Sequence, residues 1–158
     1  MTDTTNRAQT AWDKTVNGRP MVGSTATRTR RTSMADIVAF SNMTGDRNPL
    51  HYDAELAADT PFGGLIVQGG VTSGLLNAIV AEDLPGPGTV FLGVEWRFVK
   101  AVAVGEDIIG CVKITSVRED KPICHLDTTV HNASGDLCLS GTALTFTVPL
   151  RRNAAETG

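Results

Sequence analysis

The sequence predicts an α+β domain in which one buried helix is covered by an antiparallel sheet. Three observations predict it. Across residues 71–81 the apolar side chains Val71, Leu75, Leu76, Ile79 and Val80 recur at helical spacing, and the other positions are mostly small. A helix apolar on most sides belongs inside the molecule. From Val90 the period changes to two, so that Val90, Leu92, Val94, Trp96 and Phe98 share one face of a strand. Three more strand-like segments follow, separated by short turns, as in an antiparallel meander.

The chain has 158 residues, enough for one core of ordinary size. A single domain is expected over residues 16–150, preceded by a polar, flexible arm (1–15) and followed by a polar tail (151–158). The arm has no periodic apolar face, so it is expected to be dispensable, with Trp12 at most pinning it to the body. Asn17-Gly18-Arg19-Pro20 is turn chemistry. Residues 24–31 alternate Thr and Arg with small residues and read as an exposed first strand. Thr32 and Ser33 are N-cap candidates, with Asp36 near the first turn. Ile37, Phe40 and Met43 or Thr44 then repeat at helical spacing up to Gly45. Residues 52–58 suit a short helix with Asp53 as its cap. Thr60-Pro61-Phe62-Gly63-Gly64 is a loop able to cover a ligand.

After the buried helix, Leu84-Pro85-Gly86-Pro87-Gly88 is a break. Strands are expected at 90–98, 108–117, 123–131 and 137–149. The row Cys124, Leu126, Thr128, Val130 faces inward, and His125 and His131 face solvent.

The stretch with chemical content is Thr44-Gly45-Asp46-Arg47-Asn48-Pro49-Leu50-His51. Pro49 fixes its own φ and holds Asn48 extended, Asn48 can tighten the turn, and Gly45 allows a sharp exit from the helix before it. A stiff loop of this kind can aim Asp46 and His51 at one point. A carboxylate and a neutral imidazole so placed can share one water, one accepting its proton and the other orienting it. A turn cap and a buried core histidine would need no such spacing.

Phe40-Ser41-Asn42-Met43-Thr44-Gly45-Asp46-Arg47-Asn48-Pro49-Leu50-His51, with Ala57 six positions on, resembles the hydratase motif of the MaoC-like, (R)-specific enoyl-CoA hydratases. The resemblance covers residues 16–149. It implies a hot-dog fold, with a long central helix wrapped by a curved antiparallel sheet. It also implies reversible hydration of a trans-2-enoyl-CoA to a 3-hydroxyacyl-CoA, with Asp46 and His51 activating the water. The glycine-rich helix start, Gly69-Gly70, is where the family receives the thioester oxygen, so Gly69 is expected as donor, with Gly70 beside it. The chain departs from the family pattern in two places. Gln68 stands where histidine is common before that glycine, and Asn77 where the later helix often has serine. Asn48, Gln68, Gly70, Asn77 and Phe62 are therefore the expected substrate contacts. Arg97, Lys100 and Lys121 are candidates for the CoA phosphates.

The resemblance implies no metal and no redox cofactor, the CoA thioester being substrate. One hot-dog unit leaves a sheet edge uncovered, so a homodimer or a dimer of dimers is expected. The motif leaves room for an acyl carrier protein thioester in place of the CoA ester. Thioester hydrolysis is less favoured, because the buried helix carries no carboxylate before Glu82. A non-catalytic acyl-binding module would not need both Asp46 and His51.

Composition sets the remaining bounds. With a net charge of −3 and one short basic run, Arg28-Thr29-Arg30-Arg31, nucleic acid is not an expected partner. No apolar stretch is long enough to span a bilayer, and the polar start is not a signal peptide. Cys111, Cys124 and Cys138 lack the close pairing of a zinc site and read as core hydrophobes in a reducing compartment. The cytoplasm is the expected location.

Overall fold

The computed structural model describes residues 10–150; what was expected of residues 1–9 and 151–158 lies outside them. In chain order the elements are β1 (Thr25–Arg31), α1 (Met34–Thr44), α2 (Pro49–Tyr52), α3 (Ala54–Ala58), α4 (Gly69–Glu82), β2 (Thr89–Phe98), β3 (Asp107–Val117), β4 (Ile123–Asn132) and β5 (Leu137–Thr147). The five strands form one antiparallel sheet in the order β1-β3-β4-β5-β2. α4 packs against β1, β2, β3 and β4, and its Leu75, Leu76, Ile79 and Val80 are buried. Facing them are Ile108, Val112 and Ile114 of β3, Leu126 and Val130 of β4, and Leu139 and Ala143 of β5, joined in one core. The inward row Cys124, Leu126, Thr128, Val130 is buried as its alternation predicts. All three cysteines are free thiols.

α1 begins with a reciprocal cap, in which the Ser33 hydroxyl accepts from the Asp36 N–H and the Asp36 carboxylate accepts from the Ser33 N–H. It ends at Gly45, whose φ of 82° is left-handed and suits glycine. Among the described residues no helix is long and apolar enough to cross a membrane.

Four expectations need correction. The expected arm is not loose throughout. Trp12 is 0% exposed, and its indole N–H donates to the Arg118 carbonyl at 2.6 Å. Thr15 is also buried, so the packed body includes at least residues 12–15. One large aromatic side chain found a core site that a polar, aperiodic stretch does not advertise.

Nor are the last four strands a simple meander. β3, β4 and β5 are, but β2 lies at the sheet edge beside β5, separated from β3 by two strands. The connection between them runs back past the start of α4. There Val67 donates to the Val102 carbonyl, Val104 donates to the Leu65 carbonyl, and Ile66 pairs with Ala103.

The expected single apolar face of β2 is split by a bulge at Leu92. An inserted residue reverses the alternation beyond it. Val90 lies opposite Phe146, whereas Val94 and Phe98 lie opposite the buried Ala143 and Leu139. Trp96 then meets Phe91 edge to face, with ring centroids 5.9 Å apart.

Finally, His51 sits on a helical turn, α2, rather than in a loop.

Candidate active site

The chain leaves α1 through a series of side-chain-stapled turns. The Asp46 N–H donates to Thr44 Oγ1 at 3.1 Å, the Asn48 N–H to Asp46 Oδ1 at 3.1 Å, and the Leu50 N–H to Asn48 Oδ1 at 3.2 Å. Asn48 is held at φ −55°, ψ 131° before Pro49, which occupies the first position of α2. Asn48 is thus the cap of α2 and a backbone donor to Asp46. With Oδ1 engaged in the turn, Asp46 turns Oδ2 toward His51.

His51 is 6% exposed. Its Nδ1 lies 2.6 Å from the Ile66 carbonyl oxygen. A carbonyl only accepts, so Nδ1 carries the hydrogen. In the neutral ring Nε2 then holds a free lone pair, and it lies 3.9 Å from Asp46 Oδ2. That gap is too long for a direct hydrogen bond, and one water at about 2.8 Å from each atom fits it. The pair can therefore take a proton from a small polar molecule and return it.

Ile66 also lines a cavity of about 370 Å³, together with Phe62, Gly69, Thr72, Phe98 and Lys100. The N–H groups of Gly69 and Gly70 open α4, so neither can bond within the helix, and they present the positive end of its dipole. Phe98 crowds Gly69, its Cε1 lying 3.0 Å from where a Cβ there would sit. Gly70 is held to glycine by Phe40, whose ring edge would lie 2.1 Å from an added Cβ. Phe62 and Phe98 remain 50% and 58% exposed.

The structure brings the expected site residues together unevenly. Asp46, Asn48 and His51 form one unit. Gly69 and Phe62 share the cavity, and Ile66 joins the two groups. Gln68 is 2% exposed, its side chain directed to α1 rather than to open space. Asn77 is exposed on α4, two turns beyond Gly69. Lys100 reaches the cavity but pairs with Asp136 at 2.7 Å, and that carboxylate raises the lysine above its ordinary value. Arg97 and Lys121 are exposed, on β2 and in the β3–β4 turn. Among the described residues no three His, Cys, Asp or Glu side chains gather where they could hold a metal ion.

Two residues of the site were not singled out from the sequence. Ile66 acts through its backbone carbonyl, which leaves no mark on residue identity. Phe98 does leave a signal, as the last member of the period-two row.

Residues 14–134 match the family model of the MaoC-like domain. The (R)-specific enoyl-CoA hydratase of Aeromonas caviae is 37% identical over 123 residues, 78% of this chain and 92% of that protein. The 3-hydroxybutyryl-CoA dehydratase of Methylorubrum extorquens is 34% identical over 133 residues, 84% of this chain and 83% of that protein. The solved structure of an (R)-hydratase from A. caviae superposes with a TM-score of 0.78 at 35% identity, over 82% of this chain and 98% of that one. The curved sheet around α4 is thus a hot-dog fold.

Proposed function

Since the chain belongs to the MaoC-like domain family, we propose that it is an (R)-specific enoyl-CoA hydratase, interconverting a trans-2-enoyl-CoA and water with a 3-hydroxyacyl-CoA. One observation carries the reading: Asp46 Oδ2 and His51 Nε2 converge at 3.9 Å while the Ile66 carbonyl fixes the imidazole tautomer. In the hydration direction water lies between them, and His51 Nε2 takes one of its protons. The water oxygen bonds to C3, and the C2–C3 π electrons move toward the thioester oxygen. The Gly69 N–H stabilises the charge that builds there. The enolate then takes a proton at C2 from the Asp46–His51 pair, which restores the starting charge state. Dehydration is the reverse. The catalytic assignments are Asp46, His51 and Gly69. Phe62 and Gly70 flank the thioester, and Asn48 acts by holding Asp46. Lys100 is placed to receive a CoA phosphate if Asp136 releases it.

The active unit is proposed to be a homodimer, because β2 is an edge strand with Val90, Leu92, Val94 and Phe98 exposed. Purified protein given crotonyl-CoA should consume the enoyl absorbance without releasing free thiol, and the product should have the (R) configuration. Thiol release would point instead to a thioesterase. Binding without either change would leave an acyl-binding module. The same assay on a crotonyl acyl carrier protein measures the carrier preference.

A further inference from the structure

Three separate elements carry the proposed machinery: Asp46 follows α1, His51 lies on α2, and Gly69 opens α4. One set of polar side chains, two of them buried, joins all three. Ser41 of α1 is 0% exposed, and its hydroxyl oxygen accepts from Tyr52 Oη at 2.5 Å and from Gln68 Nε2 at 3.2 Å. Gln68 Nε2 also donates to the Ile37 carbonyl at 3.1 Å. Tyr52 is the neighbour of His51, and Gln68 is the neighbour of Gly69. The Ser41 carbonyl accepts the Gly45 N–H that closes α1, one residue before Asp46.

We infer that the Gln68–Ser41–Tyr52 chain is a positioning device, holding the open start of α4 in register with the Asp46–His51 pair. The inference rests on the function proposed above. Gln68 is the N-cap of α4, yet its side chain makes no capping bond. Turned back, its oxygen would lie over the first-turn N–H groups beside the Gly69 donor. Bonded to α1, it leaves them open. The arrangement carries a stability penalty, because Gln68 Oε1 is buried without a hydrogen-bond partner among the described residues. An apolar side chain of similar length would fill the space without that penalty. A polar network that carries such a cost serves to fix geometry rather than to add stability.

Ser41→Ala, Tyr52→Phe and Gln68→Met test this. Tyr52 is at the surface and Phe keeps its ring, so at least that variant should fold. Each variant should lower kcat for crotonyl-CoA by roughly 10- to 100-fold, the scale of a misplacement near 1 Å. KM should move far less, and Ser41→Ala/Tyr52→Phe should be little worse than either single variant. Gln68→Met should melt no lower than wild type while losing rate, so that stability and turnover separate. Backbone amide spectra supply a readout free of activity. Tyr52→Phe should shift the Gly69 resonance on α4, and Gln68→Met should shift those of Asp46 and His51. Folded variants that keep wild-type kcat, with shifts confined to the substituted element, would overturn the inference. If the wild type hydrates no enoyl thioester, the proposed function falls, and the amide shifts alone decide: cross-element shifts sustain the coupling and confined shifts refute it.

Discussion

Which nitrogen of His51 is basic depends on a residue fifteen positions away. The Ile66 carbonyl takes the Nδ1 hydrogen and leaves Nε2 facing Asp46 Oδ2. Two acceptors on one point should act as a unit. Asp46→Asn and His51→Ala should each lower crotonyl-CoA hydration by about 10² or more, the scale of general acid–base catalysis. The double variant should be little worse than either. Steady-state rates check this, and near-wild-type hydration by Asp46→Asn would sink the assignment. At Gly69 the donor and the side-chain space can be tested apart. Its φ is not in the left-handed region, and the atoms nearest to an alanine methyl there are those of the Phe98 ring edge. The contact is with a ring edge rather than with backbone, and that edge need give by only a few tenths of an ångström. Gly69→Ala should therefore keep most of the turnover. Gly69→Pro removes the N–H and should lose roughly 10²- to 10³-fold, about 3–4 kcal/mol, the cost of one oxyanion donor. Circular dichroism should first show both variants folded. Equal rates in folded variants would move the donor role to Gly70.

At the scale of elements, short segments are fixed by what they dock against. α2 is a single turn, too short to be stable alone. It is held by Pro49 at its first position, the Asn48 cap, the His51–Ile66 bond and the Tyr52–Ser41 bond. Residues 10–15 persist for a different reason. Trp12 fills a fully buried site under the β3–β4 turn and bonds the Arg118 carbonyl. Trp12→Ala removes that volume and leaves the carbonyl short of a donor. It should destabilise the fold by about 3–5 kcal/mol, read as a lowered denaturation midpoint. An unchanged midpoint would mean that the segment only rests on the surface. The bulge at Leu92 does comparable work in β2, because it turns Trp96 inward, where its indole N–H donates to Thr128 Oγ1 at 3.1 Å.

For the molecule as a whole, the two sheet edges differ. β1 carries Arg28, Arg30 and Arg31, each ion-paired, with Asp83, Asp36 and Asp107 respectively. Charged, paired side chains blunt an edge against further pairing. β2, at the other edge, exposes Val90, Leu92, Val94 and Phe98. An apolar edge at the opposite side of the sheet from a charged one predicts association through β2. Light scattering at micromolar concentration should give a dimer or a multiple of it, and Leu92→Lys with Val94→Lys should weaken the assembly. A stable, fully active monomer would refute the proposal.

What the sequence determined by itself is what short-range chemistry dictates. Ser33, Asp36 and Gly45 bound α1 because caps act within one turn. The Asp46–His51 spacing was legible because Asn48 and Pro49 act on their immediate neighbours. The burial of α4 and the inward row of β4 followed from periodicity, which any solvent boundary enforces. The tertiary structure decided the rest. Pairing β2 with β5 rather than β3 is a choice among whole-sheet arrangements, and no local pattern encodes it. The Leu92 bulge reverses a face because of its register against another strand. Trp12 is buried because a distant turn offers it space and an acceptor. Gln68 looked like a substrate contact beside Gly69, but Ile37 and Ser41 draw it inward. The His51 tautomer rests on the Ile66 carbonyl, a group every residue possesses, so only the folded chain could select it.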